Sequence, residues 1–124
     1  MKVILSIKPE FVEKIFSGNK RFEFRRNIFK NRGVKTVLVY ASAPVSKVVG
    51  EFEIGQIKQM DLVSLWKETK DMAGITEEYF YEYFNGKDLG FALEIKNVKK
   101  FKNAKCINET YGKNAPQSFV YYNE

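Results

Sequence analysis

Residues 17–26 read Ser17-Gly18-Asn19-Lys20-Arg21-Phe22-Glu23-Phe24-Arg25-Arg26. From Lys20 onward, apolar and charged residues alternate with the period of two that marks a half-buried strand. Phe22 and Phe24 then face one side, and Arg21, Glu23 and Arg25 face the other. Gly18, just upstream, is a helix stop, because a residue without Cβ ends a helix in the left-handed conformation at no steric cost. Before it, Phe11, Val12, Ile15 and Phe16 make one apolar helical face. Pro9 suits the first turn of that helix, where its missing N–H has no intrahelical partner. Glu10 suits the positive end. The stretch is therefore a helix-to-strand junction.

Outward from it, residues 2–8 (KVILSIK) read as a strand, as does the β-branched run Lys35–Ser42 (KTVLVYAS). After a turn at Pro44, Lys47–Ile57 is a further strand, with Gly50 and Gly55 as bulge or close-approach positions. Asp61 can cap a helix carrying Leu62, Leu65 and Trp66. Thr76 can cap another, whose Tyr79, Phe80, Tyr83 and Phe84 form an aromatic stripe that reads as helix packing. Leu89–Val98 and Ser118–Tyr122 complete the set as strands. The order β-α-β-β-β-α-α-β-β lacks a regular βα alternation. It predicts an α+β fold: a mixed, barrel-like sheet of about five to six strands with two to three helices packed on it. The 124 residues carry no repeat or linker and read as one domain, 1–124.

Composition narrows the chemistry. The chain has no histidine, which removes His-based general bases, Ser–His and Cys–His pairs and His-ligated zinc. One cysteine, Cys106, removes an internal disulfide and a CxxC pair, and reads as a buried small apolar residue. Asp61, Glu68 and Asp71 match no cation-binding loop, and no metal or cofactor is expected. The longest apolar run, Val37–Ala41, is far short of the ~20 residues that span a bilayer. Val3-Ile4-Leu5 is likewise too short for the roughly 7–15 residues of a signal peptide. A soluble, cytoplasmic protein without membrane association is the expectation.

The net charge is +6, and all four arginines (Arg21, Arg25, Arg26, Arg32) lie within residues 21–32 while the lysines are dispersed. Guanidinium groups suit phosphate and carboxylate, so the cluster points to a local anion site. Lys20, crowded by three of them, is expected to have a lowered pKa through like-charge repulsion, which would let it serve as a base if the chain is an enzyme. Glu23 and Arg25 are either a solvated edge pair or an orienting pair whose carboxylate accepts from a base amine. Tyr40, Trp66, Phe119, Tyr121 and Tyr122 are candidate stacking platforms. Lys96, Lys99, Lys100, Lys102 and Lys105 form either a backbone-tracking patch or a solvated strand end.

Gly18-x-Lys20-x-x-Glu23-x-Arg25 resembles the GxKxxExR signature of the ASCH domain family, within the PUA-like superfamily. Leu5-Ser6-Ile7-Lys8-Pro9, Tyr40-Ala41-Ser42, Val49-Gly50-Glu51-Phe52 and Pro116-Gln117-Ser118-Phe119 are similar to the flanks of that motif, so the resemblance spans nearly the whole chain. It implies a barrel with a cleft that binds RNA or a nucleotide. It also implies site residues Gly18, Lys20, Glu23, Arg25, Arg26, Tyr40, Ser42, Glu51 and Ser118, and a regulatory role in transcription or translation. One branch of similar fold is an acetylcytidine amidohydrolase using a Lys, a Thr nucleophile and a Glu. Here Glu23 stands where the Thr would be, while Glu51 or Glu53 is left for the second acid. Another branch is a ribonuclease. If the chain is an enzyme, the resemblance makes Lys20 and Glu23 catalytic. A binding module, a small hydrolase on RNA or a modified nucleoside, and a domain for some other small ligand or partner are the three readings.

Overall fold

The punctuation around the first helix sets the chain's path. Pro9 opens α1 (Pro9–Ser17), and Gly18 closes it at φ 84°, where its N–H donates to the Ile15 carbonyl at 3.2 Å. The computed structural model describes residues 1–124. The strands are β1 (Lys2–Ile7), β2 (Phe22–Arg25), β3 (Thr36–Ala41), β4 (Lys47–Asp61), β5 (Leu89–Lys105) and β6 (Phe119–Tyr122). The other helices are α2 (Leu62–Thr69), continued by a tight turn at Lys70–Met72, α3 (Glu77–Tyr83) and α4 (Ile107–Tyr111). Asp61 and Thr76 cap α2 and α3 as expected, accepting from the Ser64 and Tyr79 N–H groups at 3.0 and 3.1 Å. No helix is long and apolar enough to cross a membrane.

The six strands form one mixed sheet in the order β2-β5-β4-β3-β1-β6. Only β1 and β3 run parallel; every other neighbour is antiparallel. The α+β class and the strand count agree with the sequence. Two features do not follow from it. Strand β5 runs on to Lys105 although residues 98–105 have no buried face, because β4 supplies a hydrogen-bonding edge up to the Val48–Lys105 pair. Helix α4, only five residues long, covers the second face of the sheet with Ile107 over Ile4, Leu38, Tyr40 and Val48.

The sheet is open: its edge strands β2 and β6 do not pair with each other. Side chains span the gap instead. The Arg25 guanidinium on β2 donates to the Ser6 carbonyl at the end of β1 (3.2 Å). It also donates to the carbonyl and hydroxyl of Ser118 at the start of β6 (3.1 and 2.7 Å). Beyond it, Phe29 from the β2–β3 loop sits edge-on to Phe119 and Tyr121, with centroids 6.0 and 6.5 Å apart. The main core lies between α1 and the sheet, around Val3, Leu5, Ile15, Val37, Val39 and Phe52. A second cluster joins α2 and α3 to β2 and β5 through Phe24, Leu65, Phe80 and Phe84.

Gly50 is a close-approach position. A Cβ there would run into the Phe16 ring and into the Lys99 carbonyl, which the β4–β5 ladder holds in place. Gly50→Ala is expected to lower stability by about 1–3 kcal/mol, the usual cost of overpacking, read from the midpoint of urea unfolding. An unchanged midpoint would mean that α1 does not press on β4 in this way.

Candidate functional site

The charged face of β2 is not solvated. Lys20, Glu23 and Arg25 are 2%, 6% and 8% exposed, because the covering elements leave only a pocket above them. That pocket, about 360 Å³, opens between the β1–α1 junction, β2 and α3. Lys20 and the β2 residues form its floor, with Lys8, Phe11 and Ser42 on one side and Ile75, Tyr79 and Tyr83 on the other.

Lys20 reaches its place because the chain turns at Gly18 and passes beneath the loop that enters α3. Gly74 in that loop has φ 69°, and its missing Cβ leaves room for the Lys20 stem. The Lys20 Nζ donates to the Ala73 carbonyl at 2.8 Å. It lies 5.3 and 4.9 Å from the ring centres of Phe11 and Phe24, the geometry of a cation–π contact. Burial is the main cause that lowers its pKa to about 8; Lys14 adds to the effect and Glu23 opposes it. The direction agrees with the sequence reading, but the cause differs. The arginines are not what presses on the amine.

Those arginines disperse. Arg25 Nη1 donates to Glu23 Oε2 at 3.2 Å as well as to Ser6, so both Nη groups of the guanidinium are engaged in spanning the sheet edges and holding Glu23. Arg26 turns out of the pocket, and its Nη1 donates to the Tyr83 and Asn85 carbonyls at 2.9 and 2.8 Å. Arg32 donates to the Phe29 carbonyl at 2.6 Å and covers the Phe91 ring. Arg21 points to the opposite side of Lys20, into a separate hollow. Three of the four guanidinium groups are drawn to separate backbone carbonyls, and the four do not converge on one site.

Of the other residues singled out in the sequence, Ser42 lines the pocket and Ser118 holds Arg25. Gly18 borders the separate hollow. Tyr40 is buried on the far face of the sheet, beneath α4. Glu51 lies 3.9 Å from Lys2, and Glu53 accepts from the Asn97 side-chain amide at 2.7 Å. Trp66 packs on Phe80, Phe119 and Tyr121 on Phe29, and Tyr122 on Tyr111, so none of the expected platforms stands in the pocket. Cys106 is half-buried ahead of α4 rather than enclosed. No three side chains among His, Cys, Asp and Glu converge.

The pocket's aromatics come from the stripe on α3. Phe80 and Phe84 are fully buried, while Tyr79 and Tyr83 stack nearly parallel (10°, 6.4 Å) along the pocket wall. The signal was present: in an i, i+1, i+4, i+5 stripe the hydroxyl-bearing pair belongs on the wetter edge. Phe11 meets Tyr79 edge-on at 5.4 Å, and Lys8 Nζ donates to the Tyr79 hydroxyl at 3.3 Å. The Tyr83 hydroxyl accepts from the Arg26 N–H at 3.3 Å, and burial pushes its pKa up.

Burial of Lys20 has a pH signature. Below about 8 both folded and unfolded chains hold the proton. Between about 8 and 10.5 the folded chain has released it and the unfolded chain has not. Stability therefore rises with pH across that window. Lys20→Met, which removes the buried charge and keeps the stem, is expected to abolish this rise. It should also stabilise the chain at pH 7 by on the order of 1–3 kcal/mol in urea unfolding. A variant less stable than wild type at pH 7, with the rise intact, would contradict the assignment.

Comparison with known proteins follows from this geometry. Residues 1–113 match the family model "Domain of unknown function (DUF365)". An ASCH domain-containing ribonuclease of Zymomonas mobilis is 31% identical over 96 residues, covering 77% of this chain and 65% of that protein. The crystal structure of ASCH from Zymomonas mobilis superposes with TM-score 0.89 at 27% identity, covering 99% of this chain and 88% of that one. A tyrosine-to-phenylalanine mutant of it gives TM-score 0.90 at 26% identity, covering 99% and 91%. In Ureaplasma parvum, a large ribosomal subunit protein uL22 and an ATP synthase subunit alpha are each 29% identical over 120 residues. This chain spans 38% of the first and 15% of the second. The match over residues 1–113 makes this chain a member of the DUF365 family, and in sequence and structure it is similar to ASCH domain proteins.

Proposed function

We propose that this chain is an RNA-directed domain whose pocket receives a single nucleotide. The observation that carries the reading is the Lys20 amine, buried at the floor of the pocket with one carbonyl as its only hydrogen-bonded partner. An anionic or hydroxyl-bearing ligand supplies the partners that the protein leaves out. The volume of about 360 Å³ is at the lower end of the roughly 300–1,000 Å³ of small-molecule sites, which suits one nucleotide rather than a duplex. Tyr79 and Tyr83 offer faces and edges to a base. Glu23 has only Oε2 engaged by a protein donor, and its other oxygen can accept from a base N–H. Arg25 acts here as a positioning residue, since its donors are spent on Glu23, Ser6 and Ser118. The ribonuclease name of the Zymomonas mobilis relative supports RNA as the target. A binding module of this kind suits a regulatory role.

A second reading, cleavage, is favoured by the lowered pKa of Lys20. With a pKa of about 8, roughly a tenth of the amine is neutral at pH 7 and can act as a base. In that reading it takes the proton of a ribose 2′-hydroxyl. The oxygen attacks the adjacent phosphorus as the bond to the 5′-oxygen breaks, and the departing 5′-oxygen takes a proton from water, giving a 2′,3′-cyclic phosphate and a free 5′-hydroxyl. The amidohydrolase alternative has less support, because Glu23 brings no hydroxyl and is bound to Arg25.

Fluorescence titration with a short single-stranded RNA at several salt concentrations tests the reading. Affinity is expected to fall with salt, and Lys20→Ala to weaken binding at least tenfold without loss of fold. Salt-independent binding that ignores Lys20→Ala would overturn it. For cleavage, the rate is expected to rise with pH and level off above about 8, because the neutral amine is the active form. Absence of product at high protein concentration would leave binding alone.

A further inference from the structure

Lys20 belongs to two hollows, not one. Its side chain floors the pocket described above, and it also borders a second hollow of about 400 Å³ on the other side of the motif. That hollow carries Arg21 and Lys96. The Ile95 N–H donates to the Arg21 carbonyl at 2.9 Å, which prolongs the β2–β5 ladder and sets Arg21 across from Ile95, the chain neighbour of Lys96. Both side chains are exposed, and neither has a carboxylate within 4.0 Å. Nearby acids are occupied: Glu53 accepts from the Asn97 amide at 2.7 Å, and Glu94 from the Gln56 N–H at 2.9 Å. At Gly18 the rim is bare, with open space where a side chain would stand. From Lys96, β5 continues through Lys99, Lys100 and Lys102, all exposed and none in an ion pair.

We propose that this hollow is a second anion subsite, which takes the phosphodiester backbone of an RNA strand flanking the nucleotide in the pocket. It deepens the pocket reading and rests on it. Arg21 and Lys96 would grip phosphate, Gly18 would let the backbone pass close to the chain, and the β5 lysines would prolong the track. Glu23 and Arg25, within β2, line the pocket, whereas Arg21, just ahead of that strand, lines the hollow on the other side of Lys20. A free mononucleotide would not reach the second subsite, whereas a strand would.

The test compares a mononucleotide, UMP, with a single-stranded uridine decamer on three proteins: wild type, Arg21→Gln/Lys96→Gln and Lys67→Gln/Lys70→Gln. The last pair removes the same charge from the exposed surface at α2. The first double variant is expected to bind UMP within twofold of wild type and the decamer about five- to tenfold more weakly. Its log affinity against log salt should be shallower by about 1.4, at ~0.7 per phosphate contact on a single strand. The Lys67/Lys70 variant should match wild type on both ligands. Decamer affinity unchanged by Arg21→Gln/Lys96→Gln, or equal losses in both double variants, overturns the subsite. If wild type binds the decamer through these cations but does not bind UMP, the subsite stands and the pocket reading fails. If wild type binds neither, both fail.

Discussion

Two cationic side chains are buried beside a single carboxylate, and the rest of the molecule is arranged around that imbalance. Removing a charge from water without an answering group costs several kcal/mol, so each cation has to find its compensation within the fold. Arg25 takes Glu23 and three further oxygens, from Ser6 and Ser118. Lys20 is left with one carbonyl and two aromatic faces. The well-answered guanidinium becomes part of the architecture. The poorly answered amine is left with a weakened hold on its proton.

This division explains why the sheet can remain open without being loose. Strands β2 and β6 share no backbone ladder, yet the guanidinium holds both edges and the end of β1 at one point. The same contact fixes Glu23 in the pocket floor, so that the shape of the pocket and the closure of the sheet are one constraint. The loop before α3 completes it: Lys14 and Lys20 donate to the Gly74 and Ala73 carbonyls at 3.0 and 2.8 Å, which keeps Ile75 and Tyr79 against the pocket. A site with an unanswered buried charge is less stable than an apolar one would be, a cost that functional sites commonly carry. At 26–27% identity the Zymomonas mobilis structures share this fold along 99% of the chain, so the architecture tolerates wide change in sequence.

Much of the fold was legible from local rules. Pro9, Gly18, Asp61 and Thr76 each mark a boundary by their own backbone chemistry, and those boundaries appear where expected. The alternation of Phe22, Glu23, Phe24 and Arg25 assigned the faces of β2, because strand periodicity is a local property. What covers a face is not local. Nothing in residues 20–26 says that α3 and the β1–α1 junction will close over the charged side, and so a solvated pair was as good a reading as a buried one. The same limit applies to the arginines. Their proximity along the chain suggested a shared site, yet separate backbone carbonyls hold Arg25, Arg26 and Arg32 apart, and Arg21 lines another hollow. Tyr40 and Glu51 fall on the sheet face opposite the pocket, which only the assembled sheet reveals. The lysine-rich end of β5 lacked the apolar alternation by which strands are recognised; its ladder depends on β4.

The account stands on Lys20 being a buried amine with weakened hold on its proton. Direct titration of its side chain by NMR, using carbon-labelled lysine in the intact chain and Lys20→Met to assign the signal, measures that property. A midpoint near 8 is predicted, set apart from the other lysines. A midpoint near 10.5, the ordinary value of a lysine, would contradict it.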